Sequence, residues 1–371
     1  MNYCRLCILP DTRPNLVIGP EGICNACLNH QNKPNINWEE REINFQKIVK
    51  QVKCKSSSYD CLIPVSGGKD STWQTHMCLK YGLTPLAVTW ATPARTEIGQ
   101  KNLQNLIDLG VDHIDYRINP KVEKKFMWKA FQKYGSTAIP MHLAIFSIPL
   151  NIANKFDIPL IIYGENSAFE YGGNDNSTMG YELNEAWFQK YGVTHGTTLN
   201  DWVKEGFSIK DLSGYTRPSP EDLQKTNTRC IFLGQYFNWD PEDVKNIAES
   251  VGFNFNKQHR KTGFYDYADI DDDFISIHHW MKWYKFGFTR LQDNLSLEIR
   301  NKRIKRHEAI EIMTEMGDQT PIQDIEKCCD FMKISTSAFY TAAETFRNKD
   351  IWKCQNGKWS IRNFIINSWE W

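Results

Sequence analysis

The stretch at 61–71, Cys-Leu-Ile-Pro-Val-Ser-Gly-Gly-Lys-Asp-Ser, decides the fold of this chain. Its first five residues form a short apolar run typical of a buried strand, and the residues from Ser71 onward have helical spacing. Between them, Gly67 and Gly68 let the backbone approach an anion closely, with several N–H groups pointing inward. The start of the helix adds a partial positive charge, and Lys69 and two hydroxyls add donors. The stretch therefore predicts an anion-binding loop between a strand and a helix.

The alternation of strand and helix continues beyond this loop. Apolar runs typical of buried strands lie at 61–65, 85–90, 111–118 and 159–163, and segments with helical spacing separate them. Continuous apolar strands that alternate with helices predict a parallel sheet covered on both faces, which is a doubly wound α/β fold. Because ligands of such folds bind at the C-terminal ends of the strands, we expect the functional groups at that edge.

Two Cys-x-x-Cys pairs lie near the start of the chain, Cys4 with Cys7 and Cys24 with Cys27. Two such pairs joined by a loop have the geometry of a tetrahedral site with four thiolate ligands, which is typical of zinc. We interpret them as metal ligands rather than disulfides because no secretory signal is recognisable. Four thiolates leave no open coordination position, so the predicted zinc site is structural.

The charge balance and the apolar runs exclude several classes of protein. Lys and Arg together number 44, as do Asp and Glu, so the formal net charge is zero. This argues against a protein that coats nucleic acid, and we expect no nucleic-acid partner. Apolar runs are too short for membrane insertion, and the first residues, Met-Asn-Tyr-Cys, do not resemble a signal peptide. We therefore expect a cytoplasmic protein whose cysteines stay reduced.

A group of acidic residues, Asp271 to Asp273, precedes His278 and His279 and could suggest a second metal. Adjacent residues in a helix do not share a face, so the two histidines cannot easily bind one ion. We interpret both histidines as surface or core residues.

The loop Ser66-Gly-Gly-Lys-Asp-Ser71 resembles the signature Ser-Gly-Gly-x-Asp-Ser of the PP-loop ATP pyrophosphatases. This resemblance covers about 59–166. It implies a fold of the PP-loop (adenine nucleotide alpha-hydrolase-like) type. It also implies that the loop binds the pyrophosphate of ATP while a substrate oxygen attacks the α-phosphorus.

The order of the motifs resembles one family more specifically. Cys-Arg-Leu-Cys-Ile-Leu-Pro-Asp-Thr-Arg-Pro at 4–14 is followed by Cys-Asn-Ala-Cys at 24–27 and then by the loop. Further matches are Tyr163-Gly-Glu-Asn166 with Glu170-Tyr-Gly-Gly173, and Lys285-Phe-Gly-Phe-Thr-Arg290 with Asp293 and Glu298-Ile-Arg300. Together they resemble the N-acetyl sugar amidotransferases of lipopolysaccharide O-antigen and pseudaminic acid biosynthesis.

This second resemblance implies a ligase that converts a sugar N-acetyl group to an acetamidino group through an O-adenylated intermediate. The implied cofactors are ATP, Mg²⁺ and Zn²⁺. The implied partners are a nucleotide-activated sugar substrate and a separate glutaminase subunit that supplies ammonia. Residue 2 is Asn rather than the cysteine nucleophile of an N-terminal glutaminase, which agrees with a separate source of ammonia.

The site residues are predicted from the loop, the strand ends and the family matches. ATP binding is assigned to Ser66, Gly67, Gly68, Lys69, Asp70, Ser71, Thr89, Trp90 and Gly164. Catalysis is assigned to Lys69, Asp70 and Glu165, of which Glu165 would accept protons from the amine or hold Mg²⁺. Substrate binding is assigned to Asn166, Glu170, Arg290 and Arg300. The alternative for 164–166 is a solvated loop that caps the next helix. The alternative for Arg290 and Arg300 is that both side chains are solvated.

A length of 371 residues predicts two or three domains. We place the zinc-binding knuckle at 1–35, the PP-loop ATP-binding domain at 55–200 and a mainly helical domain for substrate or partner at 201–371. The helices expected in this last part lie at 241–251, 306–315, 324–332 and 337–347. A further helix is expected at 200–211.

Two other functions remain open at this point. Some tRNA thiolases combine a PP-loop with Cys-x-x-Cys knuckles, but they usually carry further active-site cysteines. Here the scattered candidates are Cys61, Cys78 and Cys230, and the zero net charge disfavours a basic RNA-binding face. A zinc-knuckle binding protein without catalysis is the remote alternative, and it would release no pyrophosphate with any acceptor.

Overall fold

A computed structural model of the chain describes residues 1–171, 180–219, 221–222, 227–257, 259–317 and 319–366. Its centre is a five-stranded sheet in the order β3-β2-β1-β4-β5, and all the pairings in it are parallel. These strands are β1 (Cys61–Pro64), β2 (Pro85–Trp90), β3 (Asp112–Tyr116), β4 (Leu160–Tyr163) and β5 (Arg229–Phe232). A two-stranded antiparallel sheet is formed by β6 (Trp352–Gln355) and β7 (Lys358–Ile361).

The helices connect the strands and form most of the C-terminal part. Up to β4 they are α1 (Asn25–Asn32), α2 (Trp38–Lys53), α3 (Lys69–Lys80), α4 (Glu97–Ile107), α5 (Pro120–Tyr134) and α6 (Ile139–Lys155). After β4 they are α7 (Ser167–Tyr171), α8 (Glu185–Tyr191), α9 (Leu199–Lys204), α10 (Pro241–Ser250), α11 (Ile275–Phe286), α12 (Arg290–Arg300), α13 (Arg306–Met316), α14 (Ile322–Met332) and α15 (Thr336–Glu344). Within the described ranges, no helix combines the length and apolar character needed to cross a bilayer.

Helices cover both faces of the parallel sheet because successive strand residues point to opposite sides. Leu62 of β1 packs in a core with α5 and α6, whereas its neighbours Cys61 and Ile63 pack in a second core with α2, α3 and α4. This is the α/β, doubly wound parallel fold that the sequence predicts, and that prediction is confirmed.

The sheet extends past residue 200, where the sequence analysis ends the ATP-binding domain. Its fifth strand, β5, pairs with β4 through four residues, from Leu160 opposite Arg229 to Tyr163 opposite Phe232. A four-residue run with polar flanks carries too little periodicity to be recognised in advance. The domain limits themselves stay a prediction.

The helix expected at 200–211 is shorter than predicted. It ends at Lys204, and Gly206 follows with a φ of +85°, the left-handed conformation that commonly ends helices. The C-terminal helices α11, α14 and α15 share a core with Met127 and Phe131 of α5. The helical region therefore packs directly against the sheet domain.

Candidate active site

The loop between β1 and α3 requires glycine at one position. Gly67 has a φ of +91°, a conformation that residues with a Cβ rarely adopt. A Cβ at Gly67 would lie 2.8 Å from the carbonyl oxygen of Gly99 and 2.8 Å from the backbone nitrogen of Leu103. The backbone of α4 thus approaches the loop too closely for any side chain.

We expect Gly67→Ala to destabilise the fold more than a matched change at Gly110. Gly110 also has a positive φ, of +106°, but no atom lies within 4 Å of its added Cβ. Gly110→Ala should therefore cost only about 1 kcal/mol for the backbone conformation. Gly67→Ala adds a clash with backbone atoms that cannot move independently, so we expect roughly 2 kcal/mol more. Urea denaturation of both variants measures the difference, and equal losses would contradict this description of the loop.

Hydroxyl groups hold the amides of the loop at the start of α3. The Ser71 hydroxyl accepts hydrogen bonds from the N–H groups of Ser66 and Gly67, at 3.3 and 3.2 Å. The N–H group of Gly68 donates to the Ser66 hydroxyl at 3.2 Å. These three successive amides lie together at the N-terminus of α3, a position that suits an anion, and in this structure the two serine hydroxyls satisfy them.

Lys69 and Asp70 form an ion pair at the first turn of α3. The Lys69 Nζ lies 2.6 Å from Asp70 Oδ2, and the Trp239 indole N–H donates to Asp70 Oδ1 at 2.9 Å. The same ammonium lies 5.2 Å from the centre of the Trp239 ring. Trp239, which the sequence analysis did not single out, therefore positions both charged groups.

A cavity of about 430 Å³, here called the loop cavity, opens where the sheet strands end. The loop residues Ser66, Gly68, Lys69, Asp70 and Ser71 line it together with Thr89, Trp90 and Glu165. Most of the residues predicted to bind ATP are thus brought together. Gly67 underlies the loop without lining this cavity, and Gly164 lines a different one.

The structure places an acidic segment in the loop cavity, although the sequence analysis assigned no binding role to it. Asp269, Asp271 and Asp272 line the loop cavity, although they follow the loop by about 200 residues. Burial raises the pKa of Asp271, and burial raises that of Asp272 to about 6. No periodicity links this segment to the loop, so its place in the site is a tertiary result.

The two adjacent histidines do not form a metal site with these carboxylates. His279 Nε2 lies 3.3 Å from Asp269, and the guanidinium of Arg290 lies 3.7 Å from the same carboxylate. Burial would raise the pKa of Asp269, but His279 and Arg290 lower it. His278 lines a different cavity, which agrees with the expectation that the two rings do not share a face.

The second cavity has a volume of about 740 Å³ and shares a wall with the loop cavity. Ile145, Glu165, Tyr171 and Arg290 line both cavities, and the last three of them carry polar groups. Burial, followed by the charge of Asp70, raises the pKa of Glu165 to about 7. A carboxyl group that can gain or lose a proton near neutral pH therefore stands between two binding spaces.

Polar and basic residues line the second cavity. The buried hydroxyl oxygens of Tyr163 and Thr194 have no hydrogen-bond partner among the described residues, and both residues line this cavity. Burial lowers the pKa values of Lys282 and Lys285, which also line it, to about 8. Val193, on the same wall, has a φ of +52°, a strained conformation for a β-branched residue.

Three of the four residues predicted to bind substrate make contacts within the fold and line neither cavity, and their assignment stays a prediction. Asn166 accepts hydrogen bonds from the Ala168 amide at 3.0 Å and from the Trp187 indole at 2.9 Å, so it caps α7. Glu170 is buried in an ion pair with Lys33, at 2.6 Å. Arg290 is the exception, because it lines both cavities. Of the Glu170-Tyr-Gly-Gly173 match, Gly172 and Gly173 lie outside the described residues.

Arg300, the fourth of them, lies beside the cysteine knuckle. The three nitrogens of its buried guanidinium find no oxygen acceptor in the part of the chain that the structure describes. Burial would lower its pKa, but the facing Cys7, Cys27 and Cys24 raise it. The position therefore suits a group of negatively charged thiolates, and the assignment of Arg300 to substrate binding stays a prediction.

The four cysteines form a compact, buried cluster. Their sulfur atoms all lie within 4.8 Å of one another, with 3.9 Å between Cys4 and Cys27 and 3.7 Å between Cys7 and Cys24. Zinc–sulfur bonds of about 2.3 Å place tetrahedral ligands about 3.8 Å apart. The spacing and the guanidinium of Arg300 both fit a zinc ion held by four thiolates.

One family model matches the C-terminal part of the chain. Residues 258–365 match the family described as "LPS biosynthesis protein WbpG-like, C-terminal domain". No curated protein matches the chain.

Solved structures resemble the chain at low sequence identity. A predicted subunit of a tRNA methyltransferase from Methanocaldococcus jannaschii is 14% identical, with a TM-score of 0.29, over 65% of this chain and 91% of that one. The NH3-dependent NAD synthetase of Campylobacter jejuni is 16% identical, with a TM-score of 0.31, over 58% and 93%. The NMN synthetase of Francisella tularensis is 13% identical, with a TM-score of 0.27, over 58% and 96%.

Proposed function

We propose that this chain, which carries a WbpG-like C-terminal domain of lipopolysaccharide biosynthesis, is an ATP-dependent amidotransferase. It converts the N-acetyl group of a nucleotide-activated sugar to an acetamidino group. The observation that carries the proposal is the shared wall of Glu165, Tyr171 and Arg290 between two cavities. One cavity contains the anion-binding loop, and the other contains hydroxyl, aromatic and basic groups suited to a charged sugar.

ATP occupies the loop cavity, where its β- and γ-phosphates lie beside Lys69 and take the place of the serine hydroxyls as acceptors for the loop amides. The acetamido oxygen, held at the shared wall, attacks the α-phosphorus, and the bond to pyrophosphate breaks. Ammonia then adds to the carbon of the O-adenylated imidate. The carbon–oxygen bond breaks, AMP leaves with the former carbonyl oxygen, and an amidine remains. The protein contributes by positioning the reactants and by neutralising the charge of the phosphates.

Carboxylates in the loop cavity fit Mg²⁺, which prefers oxygen ligands. Asp70, Asp271 and Asp272 line the cavity beside the loop. Among the described residues, the cysteines are the one group of three or more ligands that converges. The carboxylates would therefore hold Mg²⁺ together with water and phosphate oxygens, which is how this ion is usually bound with nucleotides. When bound, it neutralises charge on the phosphates.

Glu165 accepts the proton that ammonia loses when it adds to the imidate. Its pKa of about 7 means that the basic form increases as the pH rises through neutrality. We expect the turnover number at saturating ammonia to rise with pH through about 7 and to level off about one pH unit above that value. Glu165→Gln should lower it roughly a hundredfold and remove this rise. Glu39→Gln, an exposed change at the start of α2, serves as control, and an unchanged pH profile in Glu165→Gln would contradict the role.

The reaction itself is tested with the purified chain, ATP, Mg²⁺, an ammonium salt and candidate nucleotide sugars. We expect AMP, pyrophosphate and a sugar whose mass has changed by the replacement of one carbonyl oxygen with an imino group. Glutamine should replace ammonium only when a glutaminase is added, since that partner is part of the proposal. Pyrophosphate release without a new sugar product would contradict the proposed reaction. A failure to release pyrophosphate with any of the sugars would also contradict it.

The thiolase alternative receives little support from the site. Among the described residues, no cysteine lines either the loop cavity or the second cavity. Burial raises the pKa of Cys61 well above its usual value and that of Cys230 to about 12, so neither thiol is activated for sulfur transfer.

A further inference from the structure

We propose that Arg13, on the loop between the two cysteine pairs, is a specificity residue that binds an oxyanion of the acceptor in the second cavity. The oxyanion is a phosphate or a carboxylate group. The identity of this ligand as the acceptor rests on the proposed function. The role of Arg13 as an anion-binding residue rests on the contacts described below.

The loop that carries Arg13 is held against α11 and α12 at several points. The Ile8 amide donates to the Ser296 hydroxyl at 3.4 Å, and the Gln292 side chain donates to the Ile8 carbonyl at 3.3 Å. The Thr12 hydroxyl donates to the Phe286 carbonyl at 2.6 Å. The knuckle and the C-terminal helices therefore fix the backbone directly before Arg13.

A buried carboxylate orients the Arg13 guanidinium. Its Nε lies 2.7 Å from Asp293 Oδ1, and the Asp293 side chain is only 1% exposed. Burial would raise the pKa of Asp293, but Arg13, Lys282 and Arg290 lower it to about 2. Asp293 is thus ionised near neutral pH, where it holds the Arg13 guanidinium in an ion pair.

Arg13 keeps donors available for a ligand. A guanidinium has five N–H donors. Nε donates to Asp293, and Nη1 donates one hydrogen to the Pro14 carbonyl at 3.2 Å. Arg13 lines the second cavity, and its remaining N–H groups make no hydrogen bond within the described part of the chain. A guanidinium anchored on one side in this way matches the two oxygens of a phosphate or carboxylate.

The charge of the second cavity favours an anion. Its basic residues are Arg13, Lys190, Lys282, Lys285 and Arg290. Its acidic residues are Glu165 and Asp293, and the latter is already paired with Arg13. This excess of positive charge over negative charge, in a partly enclosed space, favours an anionic ligand over a cationic one.

The experiment measures direct binding, without ATP turnover, for UDP-N-acetylglucosamine and UDP-N-acetylglucosaminuronate. Calorimetric titration compares the wild type with Arg13→Ala, Arg13→Lys and the control Arg5→Ala, which changes an exposed arginine of the same knuckle. We expect Arg13→Ala to weaken binding roughly ten- to a hundredfold and Arg13→Lys to restore part of it. ATP binding and zinc content should stay at the wild-type level, because Arg13 does not line the loop cavity.

The two probes separate the sources of the oxyanion. A similar loss for both indicates the diphosphate, and a loss confined to the uronate indicates the carboxylate. The inference is overturned if Arg13→Ala binds both probes normally, if it loses ATP binding equally, or if the wild type binds neither probe. Arg13-dependent binding without amidine formation would keep this inference while contradicting the proposed function.

Discussion

Lys69→Met is expected to reduce ATP-dependent pyrophosphate release at least about a thousandfold. Methionine keeps much of the volume of lysine at this buried position but removes the ammonium group, which lies 2.6 Å from Asp70 at the edge of the loop. In the proposed reaction, that charge stabilises the negative charge that builds up on the departing pyrophosphate, and water cannot replace it in a partly enclosed cavity. A coupled assay for pyrophosphate, at saturating ATP, measures the effect.

Lys80→Met is the matched control for this change. Lys80 is exposed at the last turn of the same helix, α3, so its loss should leave turnover within about twofold of wild type. Circular dichroism should show both variants folded. Near-normal pyrophosphate release by Lys69→Met would contradict the assignment of the loop.

Cys24→Ser is expected to remove most of the bound zinc and to lower the melting temperature by roughly 5–10 °C. The remaining three sulfur atoms no longer complete the tetrahedron, and the buried Arg300 guanidinium loses part of the negative charge that it faces. The knuckle should then loosen from α12, to which its backbone is joined through Ile8. Metal analysis and calorimetry measure the two effects.

Cys54→Ser controls for the loss of a thiol as such. Cys54 is exposed and lies outside the cluster, so this variant should keep its zinc and its melting temperature. If the wild-type chain, purified without chelators, contained no metal and melted at the same temperature as Cys24→Ser, the zinc assignment would be wrong.

Local sequence predicted the parts of the site that are close together along the chain. The loop, its strand and its helix lie within 20 residues, from Cys61 to Lys80, so apolar periodicity and glycine placement are sufficient to recognise them. The cysteine cluster was also predictable from local sequence, because each Cys-x-x-Cys motif supplies two of its four ligands. Thr89, Trp90 and Glu165 were located from strand ends, since parallel strands end at one edge.

Residues far apart in sequence were not predictable in this way. Asp271 and Trp239 reach the loop from the C-terminal half, and Arg13 reaches the second cavity from the knuckle. Asn166 and Arg300 have the residue types of a binding site, but the first caps a helix and the second faces the cysteines. The residue type of a polar side chain is the same whether it binds a ligand or makes contacts within the fold. Only the residues packed around it distinguish the two roles.

The amino-acid sequence alone determined the doubly wound α/β class, the loop after the first strand and the four-thiolate cluster. Each of these depends on backbone conformation or on ligands spaced within one short segment. Only the tertiary structure decided that two cavities meet at Glu165 and Arg290, and that the knuckle contributes a wall to one of them. Those arrangements result from the packing of segments that are distant in sequence. The burial and the charge around each group depend on residues from other segments, which no local sequence pattern specifies.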